Sequence, residues 1–250
     1  MRRLHHMADR ISAAFIAGRA QAPVRSDLND LAVLAGLADQ NPRALFRSVA
    51  APHIGFAQIP NSPTTGRFAF DTPVSSGHVH NDRVHGERWL AGAAPSQSAV
   101  IMLHGGFAPS WSAERIMARP FLARGLDVFV LALPWHMERA PVESAYSGQY
   151  LLSGDVPRLI HGFSQGAHDT AALAFALEKS GYRQVFVSGI SLGGNIAAQA
   201  ALIARFDGVF LVIPATDPFR TIFRSPSGLE WHGARRRRGL TTTKSHALRD

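Results

Sequence analysis

A chain of 250 residues and 27.0 kDa has room for one α/β domain with appendages, and a hydrophobic share of 46% is enough to bury a core. With no cysteine, a disulfide framework, a thiolate nucleophile and a cysteine-ligated metal are excluded. The formal charge of +8 hints at an anionic partner, but Arg235, Arg236, Arg237, Arg238, Lys244 and Arg249 face the single acid Asp250 in residues 231–250, so most of the excess belongs to the tail.

The tail, residues 223–250, is expected to be solvated and disordered, with no nucleic-acid partner; the four-arginine run is a weak contrary hint. No run approaches the ~18 apolar residues of a membrane span. Asp9 and Arg10 interrupt the place where a secretion signal needs its apolar core, so a cytoplasmic protein is expected.

In chain order, residues 1–50 predict an N-terminal arm of short helices. Leu28, Leu31, Leu34 and Leu37 recur near helical spacing there, and Asn41-Pro42 closes the pattern. Residues 54–59, 67–70 and 84–90 predict short strands interrupted by Pro, Asn and Gly. His78 and His80, with His85 nearby, would sit on one strand face; a surface strand containing histidines is the reading, over a metal site, because no carboxylate stands at ligand spacing.

The pattern sharpens at residue 99. Residues 99–103 form an apolar run ending in His104-Gly105-Gly106. Residues 112–124 predict a helix bent at Pro120. Residues 128–133 are a second apolar run, residues 167–179 a strong helix, 185–187 a third run and 209–213 a fourth. Strands apolar throughout, alternating with helices, imply a parallel sheet covered on both faces. Such sheets bind ligands at the carboxyl ends of their strands, where His104, Pro134, Ser191 and Pro214 all fall. The long segment 135–161 is expected to roof a pocket, with Trp135 and Met137 among its apolar, substrate-binding walls.

One stretch carries the chemistry. Val185-Phe186-Val187 leads into Gly189-Ile190-Ser191-Leu192-Gly193, and helix formers follow at once. A serine on so tight a strand-to-helix turn needs small residues two before and two after it, which Gly189 and Gly193 supply. The turn lifts the hydroxyl above the sheet edge beside the Leu192 N–H and the positive end of the next helix. This segment resembles the nucleophile elbow of the α/β-hydrolase superfamily, and His104-Gly105-Gly106 resembles its oxyanion loop. The resemblance covers about residues 95–217 in order.

The resemblance implies an α/β fold, a mostly parallel sheet with helices on both faces, over residues 51–222, with its last strands not visible. It implies a serine esterase-like enzyme without cofactor or metal, acting on a small-molecule ester-like substrate. Ser191 would be the nucleophile, and Leu192 with Gly106 or Phe107 would supply oxyanion N–H groups. His104 would be structural, since it precedes the turn. Asp217, after the fourth run, is the candidate acid, against a turn role before Pro218. His232 is the candidate base, ahead of His246.

The motif occurs twice. Gly162-Phe163-Ser164-Gln165-Gly166 matches equally well, but Pro157 and Arg158 would make a poor feeding strand, so Ser164 reads as the N-cap region of the helix 167–179. The competing reading of the chain is a non-catalytic hydrolase domain that binds or does nothing, because no β-run follows Pro218 and the base is not evident. Nucleotide binding lacks both glycine-rich signatures.

Overall fold

The structure is a computed structural model and describes residues 46–216 apart from 61 and 154. Residues 1–45 of the N-terminal arm, Asp217, His232, His246 and the arginine run lie outside the described residues.

Three strands open the sheet, as expected: β1 (Gly55–Gln58), β2 (Thr65–Asp71) and β3 (Arg83–Trp89), each antiparallel to the last. In β2 the buried positions Gly66, Phe68 and Phe70 alternate with more exposed ones, the period-two signature of a half-covered sheet. Between β2 and β3 the expectation of a histidine-bearing strand is corrected. Residues Val79–Asp82 form one helical turn, α1, with His78 at its N-cap and His80 inside it. The turn is held by the Asp82 carboxylate, which accepts hydrogen bonds from the Ser75 and Ser76 hydroxyls and the Ser76 N–H.

From β3 the chain crosses to β4 (Ser98–Leu103), then runs through α2 (Ser112–Leu122, with Pro120 inside) to β5 (Asp127–Leu131). Helix α3 (Val156–Lys179) leads to β6 (Gln184–Ile190), and α4 (Leu192–Ala200) leads to β7 (Gly208–Val212). The order across the sheet is β1-β2-β3-β5-β4-β6-β7, with β5, β4, β6 and β7 parallel. Val100, Ile101 and Leu103 of β4, and Val128, Val130 and Leu131 of β5, are wholly buried. Each such side chain contributes roughly 1.5–3 kcal/mol of burial, which is why these two strands read as continuous apolar runs. Asp127, also buried, accepts from the Ala91 and Ser96 N–H groups and the Tyr182 hydroxyl, and so fixes the crossing from β3 to β4.

Two features depart from expectation. Helix α3 starts at Val156, not near residue 167, so the connection after β5 ends at about residue 155 and Ser164 sits well inside the helix. Asp155 is the N-cap, its side chain accepting from the Arg158 N–H. And β7, though apolar, is left uncovered by the described residues: Val209, Phe210, Leu211 and Val212 are all exposed at 39–46%.

The chain leaves β4 toward β5 on one side and returns to β6 on the other. The carboxyl ends of β4 and β6 therefore flank the place where the winding reverses, the crevice in which open α/β sheets bind ligands.

Candidate functional site

At that crevice β6 ends and Ser191 takes φ 52° and ψ −111°, a conformation that only strong surroundings sustain in a non-glycine residue. Those surroundings are specific. The Ser191 N–H donates to Val212 O at 3.0 Å, and its carbonyl accepts from Ala215 N at 2.9 Å and Asn195 N at 3.2 Å. Asn195 closes the ring by donating from Nδ2 to Ala215 O at 2.7 Å. On the other side Gly193 N–H donates to His104 O at 3.1 Å.

The two flanking glycines are required by space. A Cβ on Gly189 would lie 2.2 Å from Gly193 O, and one on Gly193 would lie 2.5 Å from the carbonyl oxygens of both Leu103 and His104. Backbone meets backbone at both points, so no side-chain adjustment relieves a methyl group there. Ser191 is half-buried, and the Leu192 N–H, first in α4, makes no hydrogen bond to the described residues.

The loop after β4 comes within van der Waals distance of this turn: a Cβ on Gly105 would lie 3.9 Å from Ser191 Cβ. His104, wholly buried, accepts the Leu133 N–H at Nε2 (3.0 Å), which assigns its proton to Nδ1, donated to Gly105 O at 2.7 Å. Both ring nitrogens are thus committed to the backbone. Burial pushes the His104 pKa down to about 4, keeping it neutral. Beyond it, Phe107 holds φ 63°. The Gly106 and Phe107 N–H groups make no hydrogen bond to the described residues.

The connection after β5 lies against this loop. Tyr146 packs its ring on Phe107 at 5.6 Å, the Ser147 hydroxyl donates to Ala108 O at 2.6 Å, and Leu152 Cδ1 lies 3.4 Å from where a Gly106 Cβ would be. Ser147 and Leu152 carry no local sequence signal; the fold brings them in. Trp135 is 2% exposed, stacked on Tyr150 at 5.8 Å and edge-on to His78 at 4.9 Å, inside the connection. Met137 packs instead on the cluster of Trp89, Met102 and Trp111 on the α2 side.

The structure therefore brings Gly105 against Ser191, with Leu192 next to that serine and Gly106 and Phe107 next along the loop from Gly105, while Trp135 and Met137 pack on Tyr150 and on the α2-side cluster. Among the described residues no imidazole is hydrogen-bonded to the Ser191 hydroxyl. Ser164 lies in α3, where the His168 side chain one turn on donates from Nδ1 to the Ser164 carbonyl at 2.7 Å, with the Ser164 hydroxyl 3.4 Å from the same nitrogen. A cavity of about 110 Å³ lined by Arg67, His85, Glu87 and Trp111 lies at β2 and β3, three strands from β6, and is lined by none of Ser191, Leu192, Gly105, Gly106 and Phe107.

Residues 57–215 match the family described as "Alpha/beta hydrolase domain containing 18". No curated protein matches the sequence. Among solved structures the chain is similar to acetyl xylan esterase 1 from Thermoanaerobacterium sp. JW/SL YS485, with a TM-score of 0.55 and 18% identity over 94% of this chain and 73% of that one. It is similar to the acetyl xylan esterase from Paenibacillus sp. R4, with a TM-score of 0.50 and 15% identity over 90% and 72%. A cold-adapted esterase from an Arctic intertidal metagenomic library gives a TM-score of 0.44 and 20% identity over 62% of each chain. The chain thus spans 62% to 73% of the length of these three proteins, and at 15% and 18% identity the likeness to the two acetyl xylan esterases is one of fold.

Proposed function

Because the chain belongs to the alpha/beta hydrolase domain containing 18 family, we propose that it is a serine hydrolase that cleaves an ester-like bond through an acyl-enzyme on Ser191. One observation supports the reading: a half-buried serine in a strained turn at the sheet's reversal point, followed by the Leu192 N–H and approached by the loop at Gly105, whose next two N–H groups, Gly106 and Phe107, the described residues also leave unbonded. A fold keeps such a serine and such donors together where a negative charge is to form.

The chemistry follows from what each group can do. The Ser191 oxygen attacks the ester carbonyl while a base removes its proton. The carbonyl oxygen becomes an oxyanion, held by Leu192 N–H from one side and by Gly106 or Phe107 N–H from the other. The N-terminus of α4 adds a partial positive charge. Collapse expels the alcohol, which takes the proton back from the base, and leaves the acyl group on Ser191. Water repeats the sequence and releases the acid. His104 does not serve as the base, since both its nitrogens are engaged. His232 and Asp217 remain the proposed base and acid. The esterase names of the fold relatives make short carboxylic esters the first substrates to test.

A second reading rests on the absence of any described imidazole on the Ser191 hydroxyl: a hydrolase-fold domain that binds without turnover. One set of proteins separates the two. Fluorophosphonate labelling of the purified chain is expected at Ser191 and lost in Ser191→Ala, with Ser164→Ala still labelled. p-Nitrophenyl acetate turnover is expected to fall in His232→Ala, by on the order of 10⁴ or more. Labelling that survives Ser191→Ala overturns the assignment. A folded chain that neither labels nor turns over is the binding domain.

A further inference from the structure

We propose that Ser147 is a positioning residue: its hydroxyl holds the 105–108 loop so that the Gly106 and Phe107 N–H groups face Ser191. The inference rests on Ser191 being the nucleophile and assigns a role to the connection after β5.

The argument starts from Phe107. An aromatic residue at φ 63° resists that conformation and relaxes to negative φ unless its neighbours forbid it. His104 Nδ1 holds Gly105 O, but neither the Phe107 N–H nor that of Gly106 is tied to the described residues, so beyond Gly105 the loop is not fixed by its own N–H groups. It is fixed from outside. The Ser147 hydroxyl donates to Ala108 O at 2.6 Å and accepts the Met137 N–H at 3.0 Å, so one side chain joins the loop to the start of the connection. Tyr146 packs on the Phe107 ring and Leu152 on Gly106.

The connection itself is anchored by buried hydrogen bonds. Arg139, wholly buried, donates from Nε to Asn81 O, and from Nη1 to Ala132 O and the Asp169 carboxylate at 2.8 Å. Gly148 N–H donates to Trp135 O at 2.9 Å and Trp135 N–H to the Asn81 side chain at 2.8 Å. Ser147 thus stands between an anchored segment and a strained one. Without its hydroxyl, Ala108 O loses its partner and Phe107 is free to rotate. The peptides on either side of Phe107 then swing, and the N–H groups leave the place where the oxyanion forms. Donors must lie close to that place, which makes an ångström of swing costly to rate and not to affinity.

The test compares Ser147→Ala with Ser147→Thr in the full chain, following the rate of fluorophosphonate labelling at Ser191 and p-nitrophenyl acetate kinetics. Ser147→Ala is expected to slow labelling and lower kcat by roughly tenfold or more with KM within about twofold. Ser147→Thr, which keeps the hydroxyl, restores most of both. In a Phe107→Gly background, where the backbone is unstrained, the effect of Ser147→Ala shrinks. Wild-type labelling at Ser191 with Ser147→Ala unchanged overturns this inference and leaves the nucleophile standing. Wild-type protein that does not label at Ser191 overturns both. Should Ser147→Ala fail to fold, Tyr146→Leu, which removes the ring on Phe107, is expected to lower the labelling rate by itself, and an unchanged rate there overturns the proposal.

Discussion

His104 makes acid stability a test of how the loop after β4 is built. Its ring is wholly buried, donates to Gly105 O, accepts from Leu133 N–H, and lies 4.8 Å from the His136 ring. The folded protein therefore keeps it neutral, and its pKa falls from the ordinary 6.5 to about 4, first by desolvation. The unfolded chain takes up a proton below about pH 6.5 while the folded chain refuses it until about pH 4. Stability from this group is thus fully present above pH 6.5 and is lost as pH falls toward 4, with no further loss below. At about 1.4 kcal/mol for each tenfold in proton affinity, the full loss is about 3 kcal/mol. His136, also wholly buried and held well below its ordinary value by burial, adds a loss of the same sign. The assay is urea unfolding followed by circular dichroism at several pH values from about 7 to about 4.5, in wild type and in His104→Gln. Glutamine can still accept the Leu133 N–H but does not titrate. The wild type is expected to weaken steadily across this window, and the slope in His104→Gln to be shallower by up to about 1.4 kcal/mol per pH unit. An equal slope in the two proteins refutes the argument, since the buried neutral imidazole would then not be the group that titrates.

Three further outcomes follow. Gly189→Ala sets a methyl group 2.2 Å from Gly193 O; it is expected to cost about 1–3 kcal/mol or more in urea unfolding and to abolish labelling of Ser191 even where the protein remains folded. Arg139→Met leaves Asp169 buried without its cation and is expected to cost about 3–5 kcal/mol, most of which Arg139→Met with Asp169→Leu recovers; a single variant as stable as wild type contradicts the buried pair. Glu114 is 2% exposed and burial raises its pKa, so the folded state favours its neutral form. Stability from that group is present at low pH and lost as pH rises through its raised value, so Glu114→Gln is expected to raise the urea midpoint at neutral pH, with the gain vanishing toward acid.

Most of the sheet could be read from the chain because its strands leave few alternatives. β4 and β5 are buried on both faces and so had to be apolar throughout, and β2 announces its half-covered state by the alternation of Phe68 and Phe70 with Arg67 and Asp71. The start of α3 was also written in the sequence, but in a sign that reads two ways. Pro157 argues against a central strand and equally for the first turn of a helix, and Asp155 before it is a good N-cap. The second meaning is the one the helix obeys. Trp135 is a different case. A large aromatic in a long connection suits a pocket wall or a plug, and only its packing on Tyr150 and His78, residues far apart in sequence, decides between them. The contacts of Ser147 and Leu152 with the loop after β4 are of the same long-range kind and left no pattern to find.

The two copies of Gly-x-Ser-x-Gly show what the motif encodes. In both, the glycines are there because something comes too close for a side chain. At Gly162 a Cβ would lie 2.3 Å from Leu151 Cδ1, and at Gly166 it would lie 3.1 Å from Ile196 and 3.2 Å from Pro134. These are side-chain neighbours, and they let α3 seat closely on the connection after β5 and on α4. At Gly189 and Gly193 the neighbours are carbonyl groups of the backbone itself. The pentapeptide therefore states only that space is short on both sides of a serine. Which kind of shortage it is depends on the flanks. Asp155 and Pro157 start a helix that carries Ser164 through in ordinary geometry, while a buried strand that must end against β4 forces the chain at Ser191 into a turn. Ser191 differs from Ser164 by the elements around it, so the chemistry assigned to it rests on the order of the sheet, with the motif marking only the place where the backbone is crowded.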